Sequence, residues 1–324
     1  MRPRPELIAS RAVEGVIPGA RSLEAPLPGS VVTVGTFDGV HLGHQALVRT
    51  ACEQGAKASL PVIAYTFEPH PAGLFAPQPP RSLMPLDLRV ERLKAVGCDQ
   101  VLIERFTREL AAVEAEDWVR DFLVTPLRPA HVVVGFNFTY GRARVGNPAH
   151  LREMGERYGF GVSVVEPVRV GEVITSSTEI RRALSEGRVA DAAAMLGRPY
   201  RIYGNVVTGD ARGRKMGFPT ANLHPEHEQL PPPGVYASWL SPLDSEERWP
   251  SVTNIGVRPT FGGDPQIKVE THVLDGSPDL YGKRVAVELP ADPIRPERRF
   301  AGPEALEAQI RQDVASARAI LEQG

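Results

Sequence analysis

The chain has 324 residues, of which 37 are basic and 39 are acidic, for a formal net charge of -2. This length predicts about two domains at roughly 100–200 residues each, and the 42% hydrophobic content is typical of a folded globular protein. The balanced charge argues against a protein that coats nucleic acid or a membrane surface, and no apolar run reaches the roughly 18–20 residues of a membrane span. The first residues lack the apolar stretch of a signal peptide, and only two cysteines, Cys52 and Cys98, occur, which excludes a disulfide scaffold. We therefore expect a cytoplasmic protein.

The first half of the chain alternates between strand-like and helical patterns. Short apolar runs rich in β-branched residues lie at 31–34, 61–67, 100–103, 131–134 and 161–165. Helical patterns lie between them at 45–54, 86–96 and 111–123. This alternation predicts an α/β domain, Rossmann-like, whose parallel sheet is covered by helices on both faces and binds its ligands at the carboxyl ends of the strands.

The pattern changes near residue 187, so we predict a first domain at 1–186 and a second at 187–324. A short helix at 189–196 precedes a series of strand-like segments over 200–289, which are separated by turns rich in glycine and proline. These segments predict a small antiparallel β-barrel. A last helix at 303–321 carries an apolar stripe that we expect to pack on the barrel. The stripe consists of Leu306, Ile310, Val314, Ala317 and Leu321.

The segment 35–44, Gly-Thr-Phe-Asp-Gly-Val-His-Leu-Gly-His, joins the first predicted strand to the first predicted helix. Gly35 and Gly39 allow a tight turn that approaches a phosphate closely, and the helix start adds free N–H groups and the positive end of a dipole. His41 and His44 are spaced to face the same side of that helix, where they can donate hydrogen bonds to an α-phosphate under attack. The alternative is a glycine-rich turn with two histidines that have no catalytic role.

Two further segments have phosphate-binding chemistry. Ser176, Ser177 and Thr178 can cap a helix while binding a phosphate, with Arg181 on the same side, although such a motif is often a plain helix cap. The segment 204–222 begins with a strand and ends with Pro219-Thr220-Ala221-Asn222, and the loop between them is rich in glycine and basic residues and predicts a flap over a phosphate chain. Its residues of interest are Gly209, Arg212, Gly213, Lys215 and Gly217. Thr220 and Asn222 follow it and offer hard oxygen ligands suited to Mg²⁺, or are ordinary turn residues.

Together these motifs resemble those of the bacterial bifunctional riboflavin kinase/FAD synthetases, over about residues 31–313. The 35–44 segment resembles the family's nucleotidylyltransferase motif, and Pro219-Thr220-Ala221-Asn222 its kinase hallmark. Other segments match in the family's order, namely 66–71, 135–141, 176–181, 233–236, 254–261, 269–272, 279–282 and 295–300. The sequence departs from the family pattern at Asn137, where many members have Asp, and at Gly276, where Phe is common.

The resemblance implies a role for each matched residue. Glu270 matches the catalytic glutamate, the general base for the ribityl hydroxyl, and Thr220 and Asn222 match the Mg²⁺ site. Thr36, Phe37, Asp38 and Asn137 match nucleotide contacts. The C-terminal domain would then use ATP to phosphorylate riboflavin to FMN, and the N-terminal domain would transfer AMP from a second ATP to FMN, forming FAD.

Two alternatives remain open at this point. One domain could have lost its activity and serve as a flavin-binding module, leaving a single-activity riboflavin kinase or FMN adenylyltransferase. The whole chain could instead be a flavin carrier without turnover. In each case the expected partners are small molecules (riboflavin, FMN and ATP), with no nucleic acid or membrane, and the chain is expected to be a monomer or a transient homo-oligomer.

Overall fold

The computed structural model describes residues 15–208, 217–258 and 266–322. It divides into two compact units, which are described separately. The first comprises the residues up to Pro80 together with Leu86–Thr175, and the second comprises Arg81–Pro85 and the residues from Ser176 onward. The predicted domain boundary at residue 186 stays a prediction.

The first unit contains a six-stranded, fully parallel sheet in the order β1-β4-β3-β2-β5-β6. Its strands are β1 Val16–Ile17, β2 Ser30–Val34, β3 Val62–Glu68, β4 Gln100–Arg105, β5 Pro129–Gly135 and β6 Gly161–Val165. The two central strands are buried because helices cover both faces of the sheet, which explains their almost uninterrupted apolar sequence. A short antiparallel hairpin follows, formed by β7 Arg169–Val170 and β8 Val173–Ile174. The expectation of a Rossmann-like parallel domain is confirmed.

Six α-helices connect these strands in the described part of the first unit. They are α1 Leu42–Ala58, α2 Leu86–Ala95, α3 Arg108–Ala111, α4 Ala115–Trp118, α5 Thr125–Leu127 and α6 Pro148–Tyr158. The helix expected at 111–123 is present from Ala115 onward, but its expected start at Ala111 is wrong. Thr107 caps α3, which ends at Ala111, and Glu114 is extended, so a new helix begins at Ala115 and continues through a π-helical segment at Val119–Val124. The apolar pattern does not reveal the change from α-helix to π-helix either, because Trp118 before the change and Phe122 after it are both buried in the core.

The second unit begins with α7 Ser177–Ser185 and α8 Val189–Leu196 and continues into a barrel. Its strands are β9 Tyr200–Val207, β10 Ala221–Pro225, β11 Gly234–Pro242, β12 Trp249–Arg258, β13 Gln266–Val273 and β14 Arg284–Leu289. Every pairing is antiparallel, and the pairing of β11 with β12 closes the six strands into a barrel. The short strand β15 Arg295–Pro296 pairs with β11. The expected barrel is confirmed.

The last helix, α9 Pro303–Leu321, has the bounds that the sequence predicts. Val314, Ala317 and Leu321 pack against Val235 and Val252 of the barrel, which confirms the expected contact for the C-terminal part of the stripe. The Arg295 guanidinium also bonds the nearly buried Asp313 of this helix at 2.7 Å. A buried charge held this way fixes the orientation of the helix.

Candidate active sites

The first candidate site lies where the chain order of the parallel sheet reverses. From β2 the chain continues to β3 and β4 on one side of the sheet, whereas β5 and β6 lie on the other side. Because β2 and β5 are parallel neighbours, the loop after Val34 and the loop after Gly135 leave the same edge of the sheet. Such reversal points are where open α/β sheets bind their ligands.

The loop at 35–40, which is predicted to bind a phosphate, has an unusual backbone. Phe37 and Val40 have φ values of 52° and 41°, a left-handed conformation that costs a non-glycine residue of order 1–3 kcal/mol. Gly39, at φ 83°, lies between them. A Cβ at Gly35 would lie 3.3 Å from the buried ring of Phe37, a tight contact that favours glycine at this position. Backbone strain of this kind persists only where the surrounding structure enforces it.

His41 and His44 meet at the start of α1. His41 caps the helix, and its Nδ1 accepts the backbone N–H of His44 at 3.3 Å. The two rings stack with centroids 3.6 Å apart, as the spacing of the pair predicts. Because Nδ1 is the acceptor, a neutral His41 carries its proton on Nε2. In this tautomer Nε2 can donate a hydrogen bond. The catalytic role of the pair stays a prediction.

The other predicted contacts of this unit surround the same edge. Thr36 and the nearly buried Asp38 belong to the 35–40 loop, and Asn137 is exposed in the loop that follows β5. The edge of the Phe37 ring packs on His44, with the centroids 5.1 Å apart. The structure therefore brings the predicted nucleotide loop and the two histidines together, while Asn137 enters this edge from the neighbouring strand.

One residue at this loop does not figure among the sequence-predicted site residues. Arg89 of α2 is buried, yet it donates from Nη1 to the Thr36 carbonyl at 3.0 Å. The sequence did contain a signal for it, because Arg89 lies in the apolar stripe of α2, next to Val90 and three residues after Leu86. A charge in such a stripe is buried only when it is paired.

The predicted phosphate-binding turn at Ser176 belongs to the second unit and is a helix N-cap. The Ser176 side chain accepts the backbone N–H of Glu179 at 3.2 Å, which caps the N-terminus of α7. Ser177 and Thr178 form its first turn. Arg181 donates from Nε to the backbone carbonyl of Arg81 at 2.6 Å. The cap is confirmed, and phosphate binding here stays a prediction.

The second candidate site is a row of polar side chains across three strands of the barrel. Asn222 of β10 lies directly opposite Glu270 of β13, and Glu270 lies opposite Asn254 of β12. Residues in direct register point to the same face, so the amide and carboxylate groups are neighbours. All three side chains are half-buried. The sequence did not predict Asn254 as part of this site, because its place depends on strand register.

The segment before β10 is anchored to this row by His272. The ring nitrogen Nδ1 of His272 donates to the Pro219 carbonyl at 2.7 Å, and Phe218 packs edge-on against the same ring. These contacts hold the chain that leads through Thr220 to Asn222 against β13. They assign a structural purpose to the histidine of the Val-Glu-Thr-His segment.

The predicted flap and the departure from the family at Gly276 have different outcomes. Gly209, Arg212, Gly213 and Lys215 lie outside the described residues, so the predicted flap stays a prediction. Gly217 and Gly276 are exposed and adopt φ values of +81° and +100°, which favour glycine. The departure from the family at Gly276 therefore has a local backbone reason.

The residues proposed for Mg²⁺ fit that ion in type. Thr220 offers a hydroxyl and Asn222 an amide oxygen, and the Glu270 carboxylate faces the same side of the barrel. The described residues contain no group of three or more His, Cys, Asp or Glu side chains arranged to hold a metal. This donor set suits a hard cation that is shared with substrate phosphates rather than enclosed by protein.

Two family models match the chain, one for each half. The FAD synthetase family matches residues 24–179, and the riboflavin kinase family matches residues 196–321. The chain is also 42% identical over 296 residues to a bifunctional riboflavin kinase/FMN adenylyltransferase of Escherichia coli, covering 91% of this chain and 94% of that one. A relative with the same description from Pseudomonas fluorescens is 37% identical and covers 94% and 97% of the two chains.

The fold also has a close match among solved structures. A Streptococcus pneumoniae protein described as a macrolide-efflux protein superposes with a TM-score of 0.84, at 29% identity, over 94% of this chain and 98% of that one. Within the described residues, no helix combines the length and apolar character needed to cross a membrane. The two family matches and the curated relatives confirm the expectation of an enzyme with two activities in flavin synthesis. The chain belongs to the bifunctional riboflavin kinase/FMN adenylyltransferase family.

Proposed function

We propose that each unit of this bifunctional enzyme carries one step of FAD synthesis through the residues described above. The second unit transfers the γ-phosphoryl group of ATP to riboflavin, giving FMN and ADP. The first unit transfers AMP from another ATP to the FMN phosphate, giving FAD and pyrophosphate. The observation that carries the assignment of AMP transfer to the first unit is the pair of stacked histidines at a helix start. They lie beside the glycine loop, where the strand order of the sheet reverses.

In the adenylyl transfer, the attacking FMN phosphate is already an anion and needs no general base. The residues need to place two polyanions together and to stabilise charge on the α-phosphate. His41 and His44 supply hydrogen bonds for this, and the N-terminus of α1 favours negative charge, with no acidic residue in its first turn. Phosphate binding by Ser176, Ser177, Thr178 and Arg181, and a nucleotide contact by Asn137, also remain proposals.

In the kinase step, Glu270 is the proposed general base. It accepts the proton of the ribityl hydroxyl as that oxygen attacks the γ-phosphorus. Asn254 and Asn222 flank this carboxylate on the neighbouring strands, so the base lies in a polar row that can orient it. The basic flap with Arg212 and Lys215 is proposed to cover the phosphate chain.

Thr220 and Asn222 are the proposed ligands of Mg²⁺. When bound, the ion would neutralise charge on the ATP phosphates. His272 contributes by holding the Pro219 carbonyl, which keeps Thr220 beside β13. Two broader expectations also remain proposals: that the enzyme works in the cytoplasm, and that it is a monomer or a transient homo-oligomer.

A time course distinguishes this function from its alternatives. Purified protein is mixed with riboflavin, ATP and Mg²⁺, and the flavins are separated by chromatography. We expect riboflavin to decline, FMN to rise and fall, and FAD to accumulate. FMN as the final product would indicate a single-activity kinase. A second reaction supplies FMN in place of riboflavin: FAD formed there but not from riboflavin would indicate a single-activity adenylyltransferase. Unchanged flavin in both reactions would indicate a carrier.

A further inference from the structure

The buried guanidinium of Arg89 connects the core of the first unit to the nucleotide loop. Only 5% of this residue is exposed. Its Nη2 bonds Glu68 Oε2 at 2.6 Å, while Nη1 donates to the Thr36 carbonyl at 3.0 Å. The Glu68 carboxylate compensates the charge, so the cost of burying the cation is offset and the planar guanidinium is fixed in orientation.

The Thr36 carbonyl receives a second hydrogen bond from a residue of the sheet. The Thr66 hydroxyl of β3 donates to the same oxygen at 3.0 Å, and Thr66 is fully buried. One carbonyl oxygen has two lone pairs, and both are therefore occupied by donors from fixed elements. The orientation of the peptide plane between Thr36 and Phe37 is set by these two contacts.

That peptide plane leads directly into Phe37, whose backbone is left-handed with a φ value of 52°. Holding the plane in one orientation restricts the positions from which the strained residue can continue the loop. The buried Phe37 ring in turn packs edge-on against His44, and the Phe37 carbonyl accepts the backbone N–H of Val40 at 3.1 Å. A continuous series of contacts thus runs from Arg89 through Thr36 and Phe37 to His44.

We propose that Arg89 is a positioning residue for adenylyl transfer, which acts through the Thr36 carbonyl to hold the 35–40 loop in its strained conformation and the His44 ring in place. Arg89 is not a catalytic residue, because its contacts are with the loop backbone and with Glu68. Without its donor, the cost of left-handed backbone at Phe37 and Val40 is no longer opposed on that side, so the loop relaxes away from the geometry that the histidines require. The proposal rests on the proposed function of the first unit.

The test compares variants of the full-length enzyme in FAD formation from supplied FMN and ATP. Arg89→Met keeps the length and the apolar stem but removes the donor, and we expect kcat to fall about 10²-fold, the usual cost of misplaced reacting groups. KM for FMN should stay within about threefold, because the hydrogen bonds of Arg89 run to the loop backbone and to Glu68. Arg89→Lys should recover only part of the rate, since an ammonium group cannot bond Thr36 and Glu68 with the same planar geometry.

Two further variants provide matched comparisons. Thr66→Val removes the other donor to the Thr36 carbonyl, and we expect a smaller loss of about fivefold, equivalent to one neutral hydrogen bond. Arg92→Met changes the same residue type three positions later on α2 and should leave FAD formation unchanged. Riboflavin phosphorylation by the second unit and the melting temperature are measured on every preparation.

The proposal is supported if Arg89→Met loses FAD formation while phosphorylation and melting temperature are retained. It is overturned if the rate stays within about threefold of wild type, or if FAD formation, phosphorylation and melting temperature fall together. The wild-type reaction separates the two hypotheses: absence of FAD in wild type contradicts the proposed function, whereas a normal wild-type rate with an unaffected Arg89→Met contradicts only the positioning role.

Discussion

Asn222 and Glu270 lie directly opposite each other on the antiparallel strands β10 and β13, although 47 residues separate them in the chain. Their side chains share one face of the barrel, so a metal ligand and a general base are proposed within one polar row. Because the two residues are neighbours with different proposed tasks, their substitutions should have different kinetic effects.

Glu270→Gln keeps the size and hydrogen bonding of the side chain but removes the base. We expect kcat for FMN formation to fall by roughly 10²–10⁴, with KM for riboflavin nearly unchanged. Asn222→Ala removes a ligand oxygen, so a higher Mg²⁺ concentration should be needed for half-maximal rate, with partial recovery at high Mg²⁺. A Mg²⁺ titration of both variants checks this.

The same two variants carry their own control. Neither substitution lies in the first unit, so FAD synthesis from supplied FMN should persist in both. If Glu270→Gln were the variant rescued by Mg²⁺, Glu270 would be the metal ligand and the two assignments would have to be exchanged.

His41→Ala and His44→Ala should each lower adenylyl transfer by about 10²–10³, the usual loss when one transition-state donor is removed. The physical reason is that each ring is held at the start of α1, where we propose that charge builds on the α-phosphate. The measurement is the rate of FAD formation from FMN, with riboflavin phosphorylation as the control. A rate within a few-fold of wild type in either variant would refute its catalytic role.

The position of α7 provides a test of the domain boundary. Ile180, Ala183 and Leu184 are fully buried on the helix that precedes α8, and burial of each large side chain contributes about 1.5–3 kcal/mol. A fragment that begins at Ser176 should therefore melt at a higher temperature than one that begins at Gly187. Circular dichroism melts of both fragments check this, and equal melting temperatures would favour the boundary at 186 instead.

His227 should make the stability of the second unit sensitive to pH. Burial lowers the pKa of this imidazole to about 4, and its Nε2 accepts the backbone N–H of Tyr203 at 3.3 Å. The unfolded chain, with an ordinary His pKa near 6.5, binds a proton first, so this contribution is complete above about pH 6.5 and is lost as the pH falls toward 4. The loss reaches on the order of 3 kcal/mol.

Urea unfolding of the wild type and of His227→Gln between pH 7.5 and pH 4.5 measures this effect. The variant should be less stable at neutral pH, because the ring contacts of His227 with Tyr200 and Tyr203 are lost, but its stability should fall less steeply with acid. Parallel pH profiles for the two proteins would show that another group is responsible.

The features that could be predicted from the sequence are those encoded over a few residues. The pairing of His41 with His44 follows from helical spacing at a strand–helix junction, and α9 follows from an uninterrupted apolar stripe. The break between α3 and α4 could not be predicted in this way, because the apolar pattern continues across the extended Glu114.

Features that depend on tertiary contacts were not predictable from these patterns. Asn254 and Glu270 are neighbours only because of the register in which β12 pairs with β13, and no local sequence pattern encodes that register. The contact of Arg89 with Thr36 joins residues 53 positions apart. In this case the sequence showed a charge within an apolar stripe, but not the carbonyl that it bonds.

The most direct test of the account uses ATP labelled at different phosphorus atoms, with riboflavin as the only flavin supplied. If the second unit transfers the γ-phosphoryl group and the first transfers AMP, then γ-labelled ATP should label both FMN and FAD, whereas α-labelled ATP should label FAD alone. Label from α-labelled ATP in FMN, or the absence of label from FAD with either nucleotide, would contradict the assignment of two successive transfers to this chain.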